Sequence, residues 1–172
     1  MKTIKLTKRE AHDVSLVLTT TVKDKAGSMD FKEILQVQKF ANSLLAGVKD
    51  FADKSDEWNK QRAKFVENAN KKISEFKQSI MKSSEKKKEL DESYKEKVDD
   101  FVQITLADVK TQIDEEITPA MKELNEGLGK EEVSFELEES KHKMVIDVFE
   151  KYAKEYYTDK KIMIETYEKL CV

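Results

Sequence analysis

The chain opens on a short alternation. In Thr3-Ile4-Lys5-Leu6 the apolar side chains face one way and Lys5 the other, which is the period of a half-buried strand. Thr7-Lys8-Arg9-Glu10 then has the Thr-x-x-Glu form of a capping box. A helix is expected to begin there, with Ala11, Val14, Val17, Leu18 and Val22 as its apolar stripe. Thr19-Thr20-Thr21 weakens the end of that helix, and Lys23 to Ser28 reads as a loop.

Asp30 can cap a second helix that meets no Gly or Pro before Gly47. Its first part, Phe31 to Val48, carries apolar residues around more than one face and is expected to be buried on several sides. Beyond it the apolar positions thin to one seam spaced three and four apart: Phe51, Ser55, Trp58, Arg62, Phe65, Ala69, Ile73, Phe76 and Ile80. That is a coiled-coil period. A single helix from Asp30 to Met81 would be on the order of 75 Å long. Ser83 to Lys88 has no apolar residue, and the seam resumes with Leu90, Tyr94, Val98, Phe101, Ile104 or Thr105, Val109, Ile113 and Ile117. An antiparallel hairpin folding near Glu85 places residue i opposite roughly 170 − i. The pairs are then Phe76 with Tyr94, small Ala69 with Phe101, and Arg62 near Asp108.

Pro119 lacks an amide hydrogen and its ring clashes with the preceding turn, so a kink or restart is expected, with Thr118 as cap and Pro119 in first helical position. A short helix to Glu126 and a turn at Gly127-Leu128-Gly129 follow. Val133 to Leu137 alternates again as a second strand, and a helix from Glu139 to Tyr156 carries Met144, Val145, Val148, Phe149 and Tyr152 on one face. Thr158 can cap a last helix with Ile162, Met163, Tyr167 and Leu170, unless Lys161 to Glu165 forms a short strand.

Ile4-Lys5-Leu6 followed by Val14, Val17 and Leu18 matches Phe135-Glu136-Leu137 followed by Val145, Val148 and Phe149 at a constant offset of 131. Each half is a strand leading directly into a helix; coincidence between two short amphipathic segments is the alternative. Lys2 and Lys5 against Glu136 and Glu138 favour pairing of the two strands. The expected fold is therefore mainly α with a minor two-stranded β element. A long antiparallel coiled-coil hairpin, residues 51–117, projects from a small α+β base formed by residues 1–50 and 118–172.

Composition agrees with that pattern and narrows the function. Charged residues make up 39% of the chain against 38% hydrophobic, with four Gly and one Pro, which suits exposed helices better than a compact sheet protein. The net charge of −3 provides no global attraction to nucleic acid or an anionic membrane. One cysteine, Cys171, makes neither an internal disulfide nor a thiolate metal cage, so a reducing compartment is expected. The apolar runs are too short for a bilayer span and the N-terminus lacks a signal-peptide core, so the expected location is cytoplasmic.

Gly-rich phosphate loops, His-Glu-x-x-His, Cys pairs and Gly-x-Ser-x-Gly are all missing, so no enzymatic activity and no cofactor are expected. His12 and His142 occupy equivalent places in the two strand–helix units. With Glu10, Asp13 or Asp147 they could meet around a divalent metal, but surface histidines on the first helical turns are the favoured reading, and no metal is expected. Lys82, Lys86, Lys87 and Lys88 make the hairpin tip locally basic and a candidate partner-binding site. Interleaved Glu85, Glu89, Asp91 and Glu92, and the lack of an aromatic residue to stack on bases, favour a solvated turn. Tyr156 and Tyr157 are the other candidate partner contacts, because adjacent tyrosines cannot both face one core. Tyr152, Tyr167 and Trp58 could also be interface anchors, although core packing would account for Tyr152 and Tyr167. Cys171 is a possible reactive thiol with only Lys169 nearby to lower its pKa.

The opening Ile4-Lys5-Leu6-Thr7-Lys8-Arg9-Glu10, an Ile-x-Leu-Thr-x-x-Glu stretch, and the closing Val133 to Phe149 resemble small phage-encoded helical proteins of unknown function. The resemblance implies a viral or mobile-element origin, with the host cytoplasm or the virion as location, and transfers no functional residues. The expected function is non-enzymatic protein–protein interaction, as a structural, assembly or adaptor component. An inhibitor of a host defence system and a nucleic-acid-binding accessory factor are the alternatives. A second copy of the chain is a further candidate partner, since Val66, Met81, Val102 and Leu106 lie off the seam.

Overall fold

The computed structural model describes residues 1–83, 92–156 and 160–171. It is mainly α with one two-stranded antiparallel sheet. The strands are β1 (Lys2–Thr7) and β2 (Glu132–Leu137). The helices are α1 (Lys8–Lys25), α2 (Phe31–Gly47), α3 (Lys49–Ser83), α4 (Glu92–Gln112), α5 (Thr118–Glu126), α6 (Glu139–Tyr152) and α7 (Lys160–Cys171). The chain divides into two compact units, residues 1–54 with 124–172, and residues 55–123.

In the first unit the capping box at Thr7 forms as expected. The Glu10 amide donates to the Thr7 hydroxyl and the Thr7 amide to the Glu10 carboxylate. Asp30 and Glu33 form a second box at the start of α2. The threonine run does not end α1, which continues to Lys25 and passes into a 3-10 turn at Ala26–Ser28 in place of the expected loop. Thr21 is accommodated by turning its hydroxyl onto the Val17 carbonyl at 2.8 Å, an internal bond that spares a buried donor.

Helix α2 buries Val37, Phe40, Ala41 and Leu44 but leaves Phe31, Leu35 and Leu45 exposed, so it is covered on one face and not on several. Nor is there a single helix from Asp30 to Met81. The α-helical path breaks at Val48, whose φ of −126° and ψ of 28° separate α2 from α3. Gly47 sits beside this break because a Cβ there would lie 2.6 Å from the Phe135 ring, inside van der Waals contact.

The strands pair antiparallel with Ile4 opposite Phe135, Leu6 opposite Val133 and Lys2 opposite Leu137. Ile4 and Phe135 are equivalents at the offset of 131, so the twofold axis that relates the two strands runs through that pair. Burial follows the same correspondence in Val14 and Val145, and in Leu18 and Phe149. The expected charge pairing across the strands is not direct. Lys5 faces Ser134, with Glu132 and Glu136 on the diagonals, and Glu138 lies beyond β2 as the residue preceding α6. Helix α6 ends at Tyr152 and gives way to a 3-10 turn over Ala153–Tyr156; α7 is a helix, which rules out the strand reading of Lys161 to Glu165. These elements surround one core, which Leu170 of α7 joins.

In the second unit α3 and α4 run antiparallel, and their contacts correct the expected register. Phe76 stacks on Phe101 with ring centroids 4.0 Å apart, and the Gln61 amide donates to Glu116. Both pairs add to 177, seven residues from the expected 170. Arg62 forms no salt bridge with Asp108. At Pro119 the helix does not restart from a cap. Thr118 is itself helical, and Ile113–Ile117 forms a π-helical turn in which the Thr118 amide donates to the Ile113 carbonyl. The wider turn makes room for a ring that would otherwise strike the carbonyl four residues back.

Candidate interaction surfaces

The residues singled out from sequence do not come together as one site. Lys86, Lys87, Lys88 and Tyr157 lie outside the described residues, as does the side chain of Lys82, which belongs to the last turn of α3. Tyr156 is half-buried at the edge of the first unit, where its hydroxyl donates to Asp24 at 3.2 Å. Lys25 pairs with Glu155 beside it at 2.6 Å, so the 3-10 turn after α6 is tied to the end of α1. Burial first, and then the Asp24 carboxylate, raises the Tyr156 pKa, and the phenol remains a neutral donor. Tyr152 and Tyr167 pack against the core. The Tyr167 hydroxyl bonds to Glu150, and hydrogen bonds with Cys171 and Glu150, in that order, raise its pKa.

Neither histidine is at the surface, contrary to the favoured sequence reading. His12 is buried edge-on against Phe51, with ring centroids 5.5 Å apart, and His142 Nε2 lies 2.6 Å from the Leu170 carbonyl. The second contact pins the end of α7 to the start of α6. Among the described residues no group of three or more His, Cys, Asp or Glu is arranged to hold a metal.

Two charged clusters join distant parts of the first unit. Lys8 bridges Asp50 at 2.6 Å and Glu131 at 2.7 Å, while its amide donates to the Glu131 carbonyl. These hydrogen bonds, Asp50 first, raise the Lys8 pKa, and the Lys8 bond is the main cause of the lowered Asp50 pKa. Lys169 of α7 meets Glu10 at 2.6 Å. Such anchors between elements organise the unit.

Two features of the described surface include exposed apolar side chains. Phe31, 78% exposed, lies with Leu35 and Leu45 on one face of α2, within an arc of about 80° at 3.6 residues per turn. In the second unit a hollow of about 810 Å³ lies between α3 and α4, lined by Phe65, Ala69 and Lys72 on one side and Ile104, Thr105 and Asp108 on the other. The sequence left Ile104 and Thr105 as alternatives for the seam. The structure buries Thr105 and leaves Ile104 63% exposed. The heptad spacing could not separate them, since adjacent residues each lie near the seam. Among the described residues no helix is long and apolar enough to cross a membrane. Protein-family models, curated proteins and solved structures were compared with the chain, and none matches it.

Proposed function

We propose that this chain is a non-enzymatic protein–protein interaction protein, a phage-encoded structural, assembly or adaptor component acting in the host cytoplasm or the virion, with a coiled-coil hairpin as one of its parts. The observation that carries the reading is the exposed face of α2. Phe31, Leu35 and Leu45 are large apolar side chains aligned on one helix face beside a core that α2 already completes with Val37, Phe40 and Leu44. Apolar anchors in that spacing suit the docking of a helix face into a partner's groove. The Ile-x-Leu-Thr-x-x-Glu opening supports the phage origin.

The test is quantitative capture from infected cells by the wild-type chain and by Phe31→Ser with Leu35→Ser. Both positions are exposed, so the doubly substituted chain is expected to fold while losing a protein that the wild type retains. Recovery of the same proteins by both would overturn this surface as the binding site. A virion or assembly protein among the lost species supports the structural role; a defence enzyme there would replace it with inhibition by occlusion.

A further inference from the structure

In the second unit the polarity of two adjacent residues is inverted. Thr105 is 7% exposed on the floor between α3 and α4, whereas Ile104 is 63% exposed at the rim. Small residues leave the floor open, since buried Ala69 faces the same hollow. Its walls carry one unpaired charge of each sign, because neither Lys72 of α3 nor Asp108 of α4 has a salt-bridge partner among the described residues. An exposed Ile104 at the rim, a floor of small residues and two exposed charges without a salt-bridge partner among the described residues are what half of a helix bundle shows when the other half is removed.

We propose that the other half is a second copy of this chain, docked groove to groove so that four helices share one core. The charge distribution identifies the occupant and the symmetry. Residues 55–83 carry seven Lys and Arg against four Asp and Glu, and residues 92–123 carry nine Asp and Glu against four Lys. A surface with one basic and one acidic helix is complementary to itself. Two twofold arrangements bring such grooves together. An axis across the helices stacks α3 on α3 and like charge on like charge. An axis parallel to them sets α3 against the partner's α4, opposite in both charge and direction. The second arrangement places Ile104 of each copy over the other's Ala69 and Thr105 and brings Lys72 within reach of the partner's Asp108. This goes beyond the binding surface on α2, and its test leaves Phe31 and Leu35 in place, so either reading can fail without the other.

Sedimentation of the full chain from low to high micromolar concentration tests it. A monomer–dimer equilibrium is expected, and Ile104→Glu is expected to weaken it at least tenfold. The side chain is exposed in a single copy, so this variant should keep the helicity and melting temperature of the dilute wild type. Lys72→Glu and Asp108→Lys should each weaken the dimer, and the two together should restore it. A wild-type chain that is monomeric throughout overturns the proposal, as does an Ile104→Glu dimer as tight as the wild type. A double variant no tighter than the single ones overturns the parallel axis.

Discussion

Glu10 shows how one side chain ties together several parts of the first unit. One carboxylate oxygen accepts from the Thr7 amide and closes the capping box, while the other accepts from Lys169 on the last helix. Burial raises its pKa, but the Lys169 ammonium and the Thr7 amide together outweigh burial, and the net value lies below the ordinary one. Asp50 is lowered as well, chiefly by Lys8. A carboxylate whose pKa is depressed on folding stabilises the folded chain fully above its unfolded pKa and loses that contribution as pH falls through the folded value. The melting temperature is therefore expected to be level near neutrality and to fall below about pH 4, the ordinary carboxylate range. Glu10→Gln should lower the melting temperature at pH 7 and flatten the acid limb. An acid limb as steep as that of the wild type would show that the Glu10 cluster does not contribute to it.

At the scale of elements, what the sequence made legible was whatever depends on neighbours along the chain. Thr7 with Glu10 is a cap set by local hydrogen bonds, and the alternation around Ile4 and Phe135 is a strand set by period, so both could be read directly. The register of α3 against α4 could not. The error of seven residues is two helical turns, a shift that returns every seam residue to the seam and replaces only its partner. The break after Gly47 was hidden for a different reason. The glycine beside it is required by the Phe135 ring, which is remote in sequence. The exposure of Ile104 beside buried Thr105 was likewise invisible to a spacing argument. The corrected register is open to measurement. A double-mutant cycle between Phe76→Ala and Phe101→Ala should give a coupling of about 0.5–1.5 kcal/mol, the usual range for a stacked aromatic pair. The cycle between Phe76→Ala and Tyr94→Ala should be additive. Coupling to Tyr94 and not to Phe101 would restore the sum of 170.

The whole molecule contains two units with unequal means of folding. Every member of the main core, from Ile4 and Leu6 through Phe40 and Leu44 to Val148, Phe149 and Leu170, lies within residues 1–54 and 124–172. That unit also has its own sheet, two capping boxes and the Lys8 and Glu10 clusters. Residues 55–123 bury Ala69, Val98 and Ile117 among apolar side chains, and include Thr105 and Ser55 in their interior. Helices with so little apolar burial rely on tertiary or quaternary contacts, because nucleation is costly and propensity alone adds little per residue. Replacing residues 55–123 by a flexible Gly/Ser linker should therefore leave a cooperatively folding protein, provided Phe51 and Ala52 are kept, since Phe51 packs on His12 and close to Gly129. The complementary peptide, residues 55–123, should be largely unfolded when dilute and gain helix with concentration if two copies complete one core. Circular dichroism during urea unfolding measures the first outcome, and a concentration series at 222 nm the second. A linker protein without a cooperative transition would mean that the core around Leu18 and Phe149 depends on residues 55–123. That result would make the two units one folding entity.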